Sequence, residues 1–296
     1  MGRSLARKAG RIVFLPGIPH HVARTRLDKG AERSPPASSV TIRDEAFAGL
    51  PALRFEPDAS RPGALLYLHG GGYIVGSRHS HGPFVSHLAK AWRLNAVSPD
   101  YRLAPEHPCP AGLEDALGAF RALRAEADGP VVLAGDSAGA GLALATSLAL
   151  REAGEVGPDA LVLFSPWADL TMSGASVRER AAADVMLTPA GLSAAAELYR
   201  GDLPADDPRV SPIFADLSGL GPVFIQTGED EILLDDTLRL HERFEAAGVE
   251  VTTEIWRGVW HDFQMFGPIV PEARAAIGGS GQWVSARLDA MKAERS

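Results

Sequence analysis

The sequence predicts an α/β protein built on a mostly parallel sheet, and three observations carry that reading. Short apolar runs without alternation recur at Ala64–Leu68, Asn95–Ser98, Val131–Ala134, Ala160–Phe164 and Val223–Gln226, the texture of strands buried on both faces. Between them lie segments with apolar residues at three- and four-residue spacing, which suit crossover helices. The chain has 296 residues, 46% hydrophobic and 22% charged, a globular composition and a length that supports one large core carrying an insertion.

Taken in order, the chain begins with Arg3, Arg7, Lys8 and Arg11 ahead of the apolar run Ile12–Leu15. This imitates the start of a signal peptide, but Pro16 ends the run well short of the roughly seven apolar residues such a region needs. An amphipathic surface helix or arm is expected instead. Lys29–Ser39 is polar, contains Pro35 and Pro36, and reads as a linker, so residues 1–39 form an arm and residues 40–296 the body. Val40–Arg43 and Ala52–Phe55 alternate, as antiparallel strands at a sheet edge do. Helices are expected over Pro83–Trp92, Leu113–Ala125, Ala138–Glu152, Asp235–Ala247 and Pro271–Met291, with a further strand at Val251–Trp256. Gly248 is placed to cap the fourth of these helices, and Asp236 in its first turn suits the helix dipole. The alternation breaks once, between Trp167 and Pro222, where two helical patches, Ser176–Ala183 and Pro189–Arg200, replace the next strand. That stretch reads as an insertion at about 167–222.

Composition excludes several function classes. Lys and Arg number 29 against 37 Asp and Glu, a net charge of −8, the wrong sign for a protein whose main partner is nucleic acid. The single cysteine, Cys109, rules out an intrachain disulfide framework and a Cys-cluster zinc site, and fits a reducing, cytoplasmic setting. No stretch approaches the roughly 18 apolar residues of a membrane span.

The chemistry is concentrated in two glycine-rich motifs. Gly135-Asp136-Ser137-Ala138-Gly139 follows an apolar strand and opens a helix, the setting of a nucleophile elbow, in which a strained serine presents its hydroxyl at a helix N-terminus. A dinucleotide-binding loop beginning at Gly139-Ala140-Gly141 fails because Leu144 occupies its third small position. His69-Gly70-Gly71-Gly72 ends the strand Ala64–Leu68. Glycines there let backbone N–H groups approach a developing oxyanion, and the residue after the nucleophile supplies the other donor. The candidate oxyanion hole is therefore Gly71, Gly72 and Ala138.

These motifs, joined by Asp100-Tyr101-Arg102-Leu103-Ala104-Pro105-Glu106 and followed by Ser165-Pro166-Trp167-Ala168-Asp169-Leu170 and Pro208–Pro212, resemble the bacterial hormone-sensitive-lipase-like esterases of the α/β-hydrolase superfamily. The resemblance covers nearly the whole chain. It implies an eight-stranded, mostly parallel sheet with a helical cap formed from the N-terminal arm and the insertion. It also implies an assembly that is often a homodimer, and acyl transfer of the kind such a serine performs needs no metal or organic cofactor.

A general base should lie late in the chain. Only His241 and His261 follow Ser137; His241 sits within an amphipathic helix, whereas His261 follows a strand and a short loop. His261-Asp262-Phe263 also resembles the family's loop histidine with an aromatic two residues on. The acid should follow the strand Val223–Gln226, where Glu229, Asp230, Glu231, Asp235 and Asp236 crowd together. The family pattern, laid without gaps, resembles Glu231-Ile232-Leu233-Leu234-Asp235-Asp236 and puts the acid at Glu231. Asp230 requires a one-residue shift and stays open.

The expected reaction is two-step acyl transfer, in which His261 takes the Ser137 proton and the hydroxyl attacks an ester carbonyl. Asp136 and the Asp100–Glu106 motif are read as supporting structure. Met172, Met186, Leu187, Leu192, Leu198 and Tyr199 are expected to wall an apolar pocket, pointing to small neutral esters with short-to-medium acyl chains. Lactone or amide hydrolysis uses the same machinery. A ligand-binding module of this fold, as in plant hormone receptors that have lost the histidine, is a separate class that His261 argues against.

Overall fold

A computed structural model describes residues 2–4, 6–7, 18–267 and 269–294. Part of the expected amphipathic arm, including Ile12–Leu15, lies outside these residues. Eight strands form one sheet: β1 (Val40–Phe47), β2 (Leu50–Pro57), β3 (Ala64–Leu68), β4 (Asn95–Pro99), β5 (Val131–Asp136), β6 (Ala160–Phe164), β7 (Val223–Gly228) and β8 (Val251–Trp256). Their order is β1-β2-β4-β3-β5-β6-β7-β8. β2 runs antiparallel to β1 and β4, and every other neighbouring pair is parallel. The helices are α1 (His20–Ala31), α2 (Arg78–Trp92), α3 (Ala111–Glu126), α4 (Ala138–Glu152), α5 (Ser176–Glu179), α6 (Pro189–Arg200), α7 (Leu234–Ala246) and α8 (Pro271–Glu294).

The period of two along each strand sorts side chains between two cores. Leu66, Leu68 and Leu133 join residues of α3, α4, α6 and α7 on one side, whereas Leu65, Tyr67 and Val132 join α2 and α8 on the other. All five residues of β3 are buried, which is why that strand reads as a continuous apolar run. Truncating a leucine there to alanine costs about 2–5 kcal/mol.

Several boundaries differ from the sequence expectation: the helical patch expected over Ser176–Ala183 is a single turn, Ser176–Glu179, and the last helix extends to Glu294. The first hairpin is longer, pairing Val40–Phe47 with Leu50–Pro57 around Ala48 (φ 51°) and Gly49 (φ 82°). Alanine is an unusual residue for a two-residue turn that needs two positive φ values, so the turn carried no signal. α2 begins at Arg78, five residues before Pro83, because Ser77 and Ser80 cap it reciprocally: the Ser77 hydroxyl accepts from the N–H of Ser80 at 3.0 Å, and that of Ser80 from the N–H of Ser77 at 2.8 Å. At the end of α7, Gly248 (φ 71°) takes the expected capping role, with its N–H donating to Glu245 O and the Val249 N–H to Phe244 O, the paired bonds of a Schellman motif.

This topology positions the site. The C-terminal ends of β3, β5, β6, β7 and β8 lie along one edge of the parallel sheet, and each delivers one candidate segment: His69–Gly72, Ser137, Ser165, Glu231 and His261. Open α/β sheets place ligands at this edge.

Candidate active site

Ser137 sits between the last residue of β5 and the first of α4 with φ 52° and ψ −119°. Such a conformation costs a non-glycine residue about 1–3 kcal/mol and persists only where its surroundings over-determine it. Here the Ser137 N–H donates to Phe164 O at 2.9 Å, and its carbonyl accepts from the Trp167 N–H at 3.0 Å. The turn also brings backbones too close for side chains: a Cβ on Gly139 would lie 2.1 Å from Leu68 O. The motif's final glycine is thus a packing requirement.

The hydroxyl so presented meets an imidazole. His261 Nε2 lies 2.9 Å from Ser137 Oγ, and His261 Nδ1 lies 2.8 Å from Glu231 Oε2. Glu231 is fully buried, and its other oxygen accepts from Ser165 Oγ at 3.0 Å, Thr227 Oγ1 at 2.7 Å and the Gly228 N–H at 2.5 Å. Charge-assisted bonds of this number compensate a carboxylate for lost water and hold it in one orientation. Burial opposes a charge on the ring, but the carboxylates of Asp262 and Glu231 outweigh it and raise His261 well above the usual imidazole range.

The two acid candidates separate cleanly. Glu231 faces the imidazole, whereas the Asp230 carboxylate is paired with Arg3, whose guanidinium also donates to Gly258 O at 2.8 Å. Asp235 and Asp236 point elsewhere. Asp235 accepts from the N–H of Ser176 at 3.0 Å, and Asp236 accepts from the N–H groups of Ala168 and Asp169 at 2.8 and 2.9 Å. Burial pushes the Asp236 carboxyl up to about 8. His241 lies against Thr253 and Glu245.

The glycine loop after β3 has a defined backbone. Gly71 has φ 116°, and a Cβ there would meet Val75 O at 2.3 Å. Its carbonyl accepts from the N–H groups of Ile74 and Val75, which closes the loop into a turn. Among the described residues, the N–H groups of Gly71, Gly72 and Ala138 donate to no protein acceptor, the condition an oxyanion hole requires. Beneath the loop, Asp136 accepts from the Gly70 N–H at 3.0 Å and from Tyr67 Oη at 2.5 Å, with His81 Nε2 at 3.3 Å. Asp136 thus braces the glycine loop, as expected of it. His69 is fully buried; burial and the neighbouring His81 hold it down at about 4, and its ring stacks on Tyr101 at 4.4 Å.

Asp100 and Glu106, also read as supporting structure, do the same work further out. Asp100 accepts from the Arg78 N–H at 2.6 Å, and Glu106 pairs with Arg24 at 2.7 Å. The apolar residues expected to wall a pocket are mainly packed inside: Leu187, Leu192 and Tyr199 are buried in the larger core, with Met172, Met186 and Leu198 against it. Tyr199 stacks on Tyr73 at 3.6 Å, so α6 rests on the residue that follows Gly72.

Sequence reasoning missed the clamp around the acid. Thr227 and Gly228 carry no local signal, since their role depends on the turn after β7. Ser165 opens the Ser165–Leu170 motif, but its contact with Glu231 needs β6 and β7 to be neighbours. Asp184, in the segment between α5 and α6, was also missed. Its carboxylate accepts from the Ile232 N–H at 3.0 Å and from the N–H groups of Met186 and Leu187, tying that segment to the residue after Glu231.

Residues 65–265 match the family described as alpha/beta hydrolase fold. An esterase of Acinetobacter venetianus is 37% identical over 257 residues, covering 86% of this chain and 85% of that protein. An acetyl-hydrolase of Streptomyces hygroscopicus is 44% identical over 222 residues, 74% of each. Among solved structures, a hormone-sensitive lipase from a metagenome library superimposes with a TM-score of 0.91 at 38% identity, covering 97% of this chain and 98% of that one. An esterase from the bacterial hormone-sensitive lipase family gives 0.92 at 36% identity, covering 97% of each. The chain therefore belongs to the α/β-hydrolase fold family, among its hormone-sensitive-lipase-like esterases.

Proposed function

We propose that this chain is a serine carboxylesterase that hydrolyses small neutral esters with short-to-medium acyl chains through a covalent acyl-enzyme. The observation that carries the reading is the continuous file Ser137 Oγ, His261, Glu231, with contacts of 2.9 and 2.8 Å, at the N-terminus of α4. His261 Nε2 takes the proton as Ser137 Oγ bonds to the ester carbon. The carbonyl oxygen becomes an oxyanion held by the N–H groups of Gly71, Gly72 and Ala138, each such donor contributing about 2.7–4 kcal/mol of transition-state stabilisation. The imidazolium then protonates the departing alkoxide, and water repeats the sequence to release the acid. Glu231 holds the ring's tautomer and stabilises its charge without taking the proton.

The acyl-chain preference is supported by the acetyl-hydrolase among the relatives. The arm and the insertion together form the cap in this reading, because Ala6 packs with Val185 of the insertion and with Val259, Trp260 and Phe263 around His261. A cytoplasmic location and a homodimer remain part of the proposal, tested by fractionation of the native host and by light scattering. No described helix is long and apolar enough to cross a membrane.

Hydrolysis of a series of p-nitrophenyl esters by wild type and variants tests the assignment. Ser137→Ala is expected to lose about 10³-fold or more in kcat/KM, and Glu231→Gln about 10³- to 10⁴-fold. Asp230→Asn should stay within a few-fold. Near-normal activity of Glu231→Gln beside an inactive Asp230→Asn would move the acid to Asp230.

A further inference from the structure

We infer that Asp262 is a second carboxylate set against the imidazole of His261, a positioning residue that keeps the Nε2 edge of the ring toward Ser137 and stabilises the charge the ring acquires when it accepts the hydroxyl proton. The inference deepens the esterase reading and rests on Ser137 and His261 being the reacting pair.

Three features of the geometry carry it. Asp262 Oδ2 lies 3.0 Å from His261 Nε2, so that nitrogen has two oxygen neighbours, the other being Ser137 Oγ at 2.9 Å. Asp262 is also the residue preceding the short 3-10 turn Phe263–Phe266, where an aspartate would ordinarily accept from the free N–H groups of the turn; it makes no such bond. Its backbone is left-handed (φ 51°, ψ 34°), and its N–H donates to Ser165 Oγ at 3.3 Å. The carboxylate is thereby directed away from its own turn. Finally, Asp262 is only 6% exposed and its Oδ1 has no hydrogen-bond partner. A buried carboxylate with an unsatisfied oxygen is costly to the fold, and the cation it is paired with is His261.

The chemistry follows from the charges around the ring. Glu231 approaches Nδ1 from the loop after β7, and Asp262 approaches Nε2 from the ring's own loop. Asp136 at the end of β5 and Asp184 between α5 and α6 add negative potential, while His81 on α2 is partnered with Asp136 and Tyr67 on β3 donates to it. When the Ser137 Oγ–H bond breaks and the Nε2–H bond forms, the new imidazolium lies between two carboxylates. The same arrangement has a consequence in the resting enzyme. One Nε2 proton cannot be both retained for Asp262 and absent for Ser137, so the pair must lose a proton before the ring can act as base. Asp262, pushed up to about 7 by burial, and His261, raised by its carboxylates, place that loss above the ordinary imidazole range. An opposite charge at this distance typically moves a group by about 1–3 pH units.

The experiment is the titration of His261 by 15N NMR in the Ser137→Ala protein, with and without Asp262→Asn, beside pH profiles of kcat/KM for the enzymes with Ser137 intact. Asparagine tolerates the left-handed backbone, so the fold is retained. The expected result is an acid limb centred above about 6.5 in wild type. It should move down by about one unit or more in Asp262→Asn and be largely restored in Asp262→Glu, with Asp230→Asn unchanged. The NMR titration should shift in parallel. A His261 titration at or below about 6.5 in Ser137→Ala overturns the inference whether or not Asp262→Asn folds, as does an unshifted limb in Asp262→Asn. If instead Ser137→Ala keeps full esterase activity, the underlying assignment of the nucleophile fails while the titration still reports on Asp262.

Discussion

A carboxylate as buried as Glu231 works only if its donors are in place, and Ser165 illustrates how one small residue joins two parts of the site. Its hydroxyl donates to Glu231 Oε1 and accepts from the N–H of Asp262, on the other side of the histidine. Ser165→Ala removes both contacts. We expect kcat to fall about tenfold with KM nearly unchanged, and stability to fall by about 1–3 kcal/mol, checked by steady-state kinetics and urea denaturation. At this scale the sequence was most informative where a local rule exists: Ser137 is announced by its glycines, and His261 by being one of two histidines after it. The choice between Glu231 and Asp230 had no local rule: only the gap-free family pattern favoured Glu231, and which way adjacent carboxylates in a turn point is not written in their sequence. In the structure the two side chains diverge, Asp230 pairing with the remote Arg3 and Glu231 lying 2.8 Å from His261 Nδ1.

Whole elements show the same division. β3 and the Val131–Ala134 part of β5 were legible because burial on both faces leaves only apolar residues there, whereas α2 lost its first turn to Pro83, which suggested a helix start where the Ser77–Ser80 cap had already made one. The packing of α1 had no signature. Its Arg24 donates to Ile74 O and Ala104 O, both at 2.9 Å, and pairs with Glu106, so this helix pins the Asp100–Glu106 motif to the segment after the glycine loop. The Arg24 hydrogen bond holds the Glu106 carboxyl down at about 2. A depressed carboxyl stabilises the fold above its unfolded value, near 4, and loses that contribution as pH falls through 2. The Glu106 side chain is half exposed, so screening limits the pair to under about 1 kcal/mol. Arg24→Ala is therefore expected to cost about 1–3 kcal/mol, chiefly through the two carbonyls. Glu106→Gln should cost less, with its difference from wild type vanishing between pH 4 and 2. Denaturant titrations of the three proteins across that range check both expectations.

For the molecule as a whole, the sheet order is what brings distant segments together, and it could not be read from one sequence alone. β3 inserts between β4 and β5, which sets the glycine loop beside Ser137; from periodicity alone β4 could equally have taken that place. The resemblance to a known family implied eight mostly parallel strands but no order. The arm closes the other side: Ala6 packs against the cluster around Trp260 and Phe263, and the Arg3 guanidinium lies 5.8 Å from the Trp260 ring. Deleting residues 1–18 keeps Pro19, whose carbonyl accepts from the Val22 and Ala23 N–H groups at the start of α1, and removes these contacts. A drop in Tm of several degrees and a parallel fall in kcat are expected, with the order of preference among acyl chain lengths the same at low and high salt. Calorimetry and the ester series measure each. A preference for long chains that appears only at low salt and only with the arm present would instead point to action at a charged lipid surface.

The central claim is that hydroxyl 137 is the one group activated by the imidazole and the amide cradle. Treating the folded protein with a diethyl p-nitrophenyl phosphate probe and mapping the adduct by mass spectrometry tests it directly. The account predicts one diethylphosphoryl group per chain, located on Ser137, with activity lost in proportion and no labelling of His261→Ala on the same timescale. An adduct confined to another residue, or full activity in protein stoichiometrically modified at Ser137, would contradict it.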